Sequence, residues 1–515
     1  MIAATPLPSP QFSLHFFAPL SLPVIIDPRF QTMLFNINRF HFLVLLTWQF
    51  SIFFASQQIF PIFSSYVPKW RCNATQPFAK DCDLFESCKE KVQFEYEYFH
   101  SAALEFDWIC GSKSYLRSFF SQVQFFGVLL GTIVYGSLSD WLGRKPIAVT
   151  ALSLGLLFSV LSGLAPTWEL LLGTRFFIGL SIGGTLVVVC TFVMEMLLPE
   201  QRMALRAFFN WGTARLMVTL ICWWFPDWRS ASIACAVTAL PALLIVIFIF
   251  PESPTWLHNK GRLEKMKESE RKIARIAGKK NVDTEVEPIV HKKSIIDLFK
   301  DIHLFKRVVV LWVMWFTAAI CGYAIDLNSS DISGHLFWNQ VLFSILIAVS
   351  KIVLVVFDTS FPKFSRRNLH QGAQLIVCIC FLALTGLVIV APHSIFILII
   401  NLIGTMFLEY TWDACYLCGV ESMPTNMRAT SMGSCSFMAR IGAILAPALA
   451  FLNSVWAPSA YLTVCLLGLI NLIISYLWLV ETKGVVLDKV QLDENAATLK
   501  EDHESVEMIP KETSK

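Results

Sequence analysis

Glu409 and Asp413 stand four residues apart in an otherwise apolar or neutral stretch, so on a helix they share one face. Two carboxylates placed so closely repel each other unless a proton or a cation stands between them. Arg215, Lys351 and Arg440 sit in equally apolar surroundings, and Asp326 lies near the end of another such stretch. An ionisable residue in a lipid-embedded helix costs at least about 2.5–3.5 kcal/mol, so each is expected to face a partner or a water-filled cavity. Two readings follow. In one, Lys351 and Arg440 line a cavity and attract an anion, with the planar Arg440 guanidinium gripping a carboxylate or sulfate through two parallel hydrogen bonds. In the other, Glu409 and Asp413 neutralise both cations in structural ion pairs.

The surroundings are lipid because the composition allows little else. Of 515 residues, 55% are hydrophobic and only 15% are charged, against about 25% charged in soluble domains. The chain has 43 Phe and 16 Trp, and apolar windows long enough to cross a bilayer recur throughout. Twelve spans are expected, at 40–62, 118–138, 146–165, 168–190, 204–224, 230–250, 307–326, 336–357, 372–391, 394–418, 430–452 and 457–480. The fold class is thus an all-α membrane protein. A net charge of +3 gives no basic surface for nucleic acid. Without a phosphate-binding Gly-Lys-Ser loop, ATP-driven pumping is disfavoured, and no cofactor or metal is expected.

Basic residues near span ends set the orientation. Arg144 and Lys145 follow span two, Arg202 and Arg206 follow span four, and Lys363, Arg366 and Arg367 follow span eight. The segment 251–307 holds 14 Lys plus Arg against 9 Asp plus Glu and also follows an even span. Both termini are therefore expected in the cytoplasm, with 63–117 outside. That loop contains Cys72, Cys82, Cys88 and Cys110, read as two disulfides with three possible pairings. It also contains the glycosylation acceptor Asn73-Ala74-Thr75. Residues 1–37, rich in proline and lacking a basic start, are an N-terminal extension rather than a signal peptide. The expected divisions are the halves 38–250 and 307–483, a cytoplasmic loop 251–306, and a polar cytoplasmic tail 484–515.

The chain also repeats itself. Glu195 precedes Arg202 by seven residues with Pro199 between, and Glu421 precedes Arg428 by seven with Pro424 between. Pro251-Glu252-Ser253 closes span six as Val480-Glu481-Thr482 closes span twelve, and Gly143-Arg144-Lys145 corresponds to Ser365-Arg366-Arg367. The three landmarks share one register and imply two parallel six-helix repeats, an architecture that binds solute between its halves. Asp140 and Arg144 read as a gate, a carboxylate at a helix end that meets a helix N-terminus or an Arg of the facing half. In the second half the Asp place falls on Pro362 and the Gly place on Ser365, so gating is expected to rest on the first half together with Glu195, Arg202, Glu421 and Arg428.

Gly136-Ser137-Leu138-Ser139-Asp140-Trp141-Leu142-Gly143-Arg144-Lys145-Pro146 resembles the loop signature of the major facilitator superfamily. Phe106 to Cys110, Pro251 to Leu257 and Glu421 to Arg428 are similar to stretches of its organic ion transporter family, and the likeness spans residues 38–484. The resemblance implies that Met438 to Gly442 holds Arg440 where organic anion and carnitine-type members keep an Arg and cation members an Asp. It likewise puts Lys351 where anion members carry a Lys, and sets Phe209 beside a substrate-lining aromatic. Two departures stand out: Asp413 replaces an uncharged amide, and Ile320-Cys321 replaces paired tyrosines.

The expected function is a plasma-membrane carrier of organic anions by alternating access, driven by a substrate gradient. Lys351, Arg440, Asp413 and Phe209 would form its binding site, and its partners would be a small organic ion and the bilayer. The alternatives are a cation or zwitterion carrier of the same family and a transport-dead receptor or scaffold. A membrane enzyme using Glu409 and Asp413 as acid and base is a further rival.

Overall fold

Apolar runs in lipid must satisfy their own backbone hydrogen bonds, and helices do so within one segment. The computed structural model describes residues 38–73, 75–80, 82–88, 92–95, 98–197, 208–278, 302–332, 335–361, 365–392, 394–423 and 425–481. Among these residues the first repeat contributes α1 (Arg39–Ala55), α2 (Leu116–Leu142), α3 (Arg144–Gly163), α4 (Trp168–Gly184), α5 (Trp211–Trp224) and α6 (Trp228–Phe248). The second contributes α7 (Ile302–Asn328), α8 (Leu336–Ser360), α9 (Arg366–Val390), α10 (Ile395–Glu421), α11 (Thr425–Val455) and α12 (Ser459–Trp478). A π-helical turn at Thr185–Val189 extends α4 into Cys190–Met196.

Eleven helical stretches of the described residues are long and apolar enough to cross a membrane. The remaining expected span, 204–224, appears as the 14 residues of α5, and its first residues lie outside the described ones. The extension 1–37, Arg202, Pro362 and the tail from 482 also lie outside them.

Within the first repeat, α2 and α4 approach until only glycine fits. A Cβ on Gly131 would lie 2.0 Å from the Leu180 carbonyl oxygen, and one on Gly179 would lie 2.0 Å from that of Gln124. Gly127 and Gly183 are similarly tight, so two small-residue stripes let the backbones meet where lipid supplies no hydrophobic drive. The second repeat does the same more sparingly, with Gly442 of α11 against the Phe316 carbonyl oxygen of α7.

The loop between α1 and α2 is a small domain at one end of the bundle, here termed the loop end. The end carrying Arg144 and Arg366 is the basic end. Of the three possible disulfide pairings the structure has Cys72–Cys88 and Cys82–Cys110. Strands β1 (Trp70–Arg71) and β2 (Gln93–Phe94) pair antiparallel between them, and Asn73 is exposed. Glu105 fastens this domain to α6, accepting from Trp228 Nε1 at 2.7 Å and pairing with Arg229.

Burial raises the Glu105 carboxyl, but the bonds from Arg229 and Trp228 outweigh it and hold the group below the usual glutamate value. A depressed carboxyl contributes stability above its ordinary range and loses it as pH falls through the lowered value. Docking of the loop domain is therefore expected to hold at neutral pH and weaken below about pH 4. Hydrogen exchange across residues 102–110 as a function of pH checks this; Glu105→Gln should abolish the acid-dependent difference, and equal acid sensitivity in both proteins would remove Glu105 as the fastening group.

Candidate functional site

The two central cations meet different fates. Lys351 Nζ on α8 lies 2.8 Å from Glu409 Oε2 and 2.9 Å from Asp413 Oδ2, both on α10. The shared helical face expected of the two carboxylates is what lets one ammonium reach both. The triad carries a net charge of −1 and closes within the second half. Asp413 thus sits among charges because it helps neutralise Lys351.

Arg440 on α11 has no such neutralisation. Among the described residues no carboxylate forms a salt bridge with it, and its Nε is buried without a hydrogen-bond partner. The guanidinium interacts electrostatically with the Tyr323 and Tyr416 phenols and with Cys190 of the first half. Tyr323 in turn donates to Gln58 Oε1 at 3.0 Å, crossing from the second half to the first. Arg440 therefore stands between the halves. Beside it, Tyr416 packs on Trp315 with ring centroids 4.4 Å apart and on Trp412 at 6.1 Å, yet keeps 47% of its surface accessible. A cation, two phenols and an accessible aromatic wall suit a planar or apolar organic acid.

Tyr323 and Tyr416 carry no signal in the sequence because Arg440, which makes them part of a site, comes from another helix. Phe209 is partly buried against the first-half core, its carbonyl accepting from Trp48 Nε1 at 2.9 Å. A groove of about 550 Å³ between α9 and α12 has no charged lining and does not include Arg440.

At the basic end each half closes a charge network on itself. Arg144 pairs with Asp140 at 2.7 Å and Glu195 at 3.4 Å, and Ser253 Oγ donates to Glu195. Glu252 accepts from the backbone N–H groups of Arg144 at 2.9 Å and Lys145 at 3.0 Å, an anion at the N-terminus of α3. Gly143 makes this possible: its φ of +124° favours glycine, and a Cβ there would lie 2.4 Å from Glu252 Oε2.

In the second half Arg366 pairs with Asp358 and with Glu421, the latter at 3.3 Å, while Glu481 accepts from the N–H groups of Arg366 and Arg367. The expectation that the second half lacks its carboxylate is thereby corrected. Asp358 supplies it from eight residues before Arg366 rather than four, a spacing that one helical register does not reveal. Ser365 fills the glycine place by donating its hydroxyl to Glu481. Glu252 and Glu481 had been legible only as repeat landmarks.

A facing-half partner for Asp140 or Arg144 is not seen among the described residues; their partners lie in their own half. Arg428 donates to the Met423 carbonyl at 3.3 Å. A cavity of about 30 Å³ lined by Lys351, Asp358, Arg366 and Asp413 joins the central triad to this second network.

The loop end joins the halves. Arg215 of α5, fully buried, forms an ion pair with Asp326 of α7 and donates to Gln340 Oε1 of α8 at 2.8 Å. Gln340 passes the chain on to Ser329 at 2.9 Å. Around it Phe337 stacks on Phe63 and on Trp223, at 5.9 and 5.6 Å between centroids. This end is shut.

Residues 73–493 match the family described as sugar (and other) transporter. The chain belongs to that family. Over 503 residues the transporter is 39% identical to an uncharacterised Caenorhabditis elegans protein, covering 92% of this chain and 99% of that one. It is 26% identical to the organic cation transporter-like protein of Drosophila melanogaster, over 72% of this chain and 69% of that protein. Rat solute carrier family 22 member 7 is 27% identical, over 72% and 70% respectively. In fold the transporter resembles the partially occluded inward open conformation of the Escherichia coli xylose transporter, with a TM-score of 0.63 at 16% identity over 87% of this chain and 100% of that one. The twelve-helix major facilitator fold and the organic ion transporter likeness both stand, and the protein is a multi-pass carrier rather than a membrane enzyme.

Breaking a buried ion pair by removing one partner costs about 3–5 kcal/mol, and here that cost falls only on the state closed at the loop end. Asp326→Asn should therefore shift the population toward opening at that end. A reporter introduced by Phe337→Cys is expected to react faster with an impermeant maleimide in that background; an unchanged rate would show that the pair is no latch.

Proposed function

We propose that this transporter carries organic anions, including zwitterions that bear a carboxylate, by rocking its two halves about Arg440. The observation that carries this reading is a guanidinium between the halves that pairs with no carboxylate among the described residues. An Arg in that condition offers a planar fork to an incoming carboxylate or sulfate, and Tyr416, Trp315 and Trp412 offer apolar surface to the rest of the solute. A simple organic cation would meet uncompensated positive charge at this point. The net negative triad of Lys351, Glu409 and Asp413 supports zwitterions as the second reading, since an ammonium could settle on its side of Tyr416 while the carboxylate meets Arg440.

We place the carrier in the plasma membrane with both termini cytoplasmic, following the basic residues of the even connections. The loop end is then extracellular and carries the Asn73 acceptor, and the state with Arg215–Asp326 formed faces inward. Asp140, Arg144, Glu195 and Arg202 act as the first-half gate, and Glu421 and Arg428 join Asp358 and Arg366 in the second. A complete second network speaks against a transport-dead scaffold, for which the apparent loss of that gate was the main motive. Substrate gradients drive the cycle.

A charge-assisted hydrogen bond contributes about 1.5–3 kcal/mol, so Arg440→Gln should lower carboxylate uptake roughly ten- to hundredfold. Uptake of radiolabelled carboxylates and quaternary amines, normalised to surface protein, reads this directly. Arg440→Asp should favour the amines. Lys351→Ala leaves two carboxylates facing each other and is expected to reduce the amount of folded protein while leaving KM unchanged. Unaltered carboxylate uptake in Arg440→Gln at normal surface levels would end the proposal.

A further inference from the structure

Arg175 of α4 is the most anomalous charge in the molecule. It is fully buried, and its Nε and both terminal nitrogens lack any hydrogen-bond partner. It precedes Gly179 and Gly183 by one and two turns, so it lies on the stripe that packs tightly against α2. Phe60 and Phe120 cover its guanidinium, with ring centroids 4.4 and 5.3 Å away. Its electrostatic neighbours are the Cys222 and Cys235 thiols of α5 and α6, and the Gln57 amide is bonded to Cys235.

Among the described residues no carboxylate of the first half pairs with this charge. Helices α1 to α6, with the extension of α4, carry three acidic residues: Glu169, exposed in the first turn of α4, and Asp140 and Glu195, committed to Arg144 at the basic end. Arg215, the other fully buried Arg of this half, takes its counter-charge from Asp326 of the opposite half. Aromatic faces attract a cation but accept no ordinary hydrogen bond from its five N–H donors. Water would satisfy those donors and leave the charge unanswered in a low-dielectric interior; a small anion does both. The neighbouring Cys222 and Cys235 thiols also suit one, since S–H groups donate weakly.

We propose that Arg175 anchors an internal site for a small monovalent inorganic anion, chloride under physiological conditions, held within the first half and not carried across. The site is separate from Arg440, because its walls all belong to one half and need not part during transport. Occupancy would stabilise the α2–α4 interface and make the carrier's stability depend on halide.

The test uses the purified full-length transporter in nanodiscs, melted in sodium chloride, sodium bromide or sodium gluconate at equal ionic strength and fixed pH. Tm is expected to rise saturably with chloride and bromide but not with gluconate. The dependence should vanish in Arg175→Gln, persist in Arg440→Gln, and need at least tenfold more chloride in Arg175→Lys. Absence of any halide effect in the unaltered protein overturns the proposal. So does an effect that survives Arg175→Gln, or one that disappears in Arg440→Gln and thereby belongs to the solute path. If Arg175→Gln does not fold, Arg175→Lys decides: a half-saturating chloride concentration equal to that of the unaltered protein overturns the assignment.

Discussion

A charge inside lipid must be answered by another charge, by a ligand or by the opposite half of the protein, because the hydrocarbon answers nothing. The interior of this carrier sorts itself by which answer each charge receives. Lys351 is met within its own half by Glu409 and Asp413. Arg215 is met across the halves by Asp326, so its neutralisation lasts only while the loop end is shut. Arg440 is met by phenols and, among the described residues, by no carboxylate. The same necessity therefore leaves one charge neutralised within a half, one neutralised between the halves and one without a carboxylate among the described residues.

The two ends of the bundle divide this labour. At the basic end each repeat binds an Arg, two acids and a carboxylate-capped helix start into a unit confined to one half. Such units hold the ends of helices together as a half moves and need not break for the halves to separate there. At the loop end the polar and aromatic contacts run between halves. An alternating-access cycle requires this inequality, because a contact that closes one end must be absent when that end opens.

The two halves share the chemistry of these basic-end networks more faithfully than their residues. Gly143 brings Glu252 close by having no side chain, whereas Ser365 engages Glu481 with its own hydroxyl. Both acids reach their Arg across the turn between two helices, Asp140 from four residues before Arg144 and Asp358 from eight before Arg366. Both solutions place an acid beside a guanidinium and a carboxylate on the first N–H groups of a helix, which is what the electrostatics demand.

Local composition determined much of this protein. Apolar run length gave the twelve spans, recurring Glu, Pro and Arg landmarks gave the repeat, and four cysteines in one polar stretch gave two disulfides without their pairing. Spacing within a single helix placed Glu409 and Asp413 on one face. Folding in three dimensions decided the rest, since a helix states which residues share a face but never what that face meets. Only the packed bundle could assign both acids to Lys351, bring Asp358 to Arg366, set Asp326 against Arg215 and leave Arg440 and Arg175 without carboxylates. Lys351 and Glu409 are 58 residues apart within one half and Arg215 and Asp326 are 111 apart across the two, separations over which sequence periodicity carries no register.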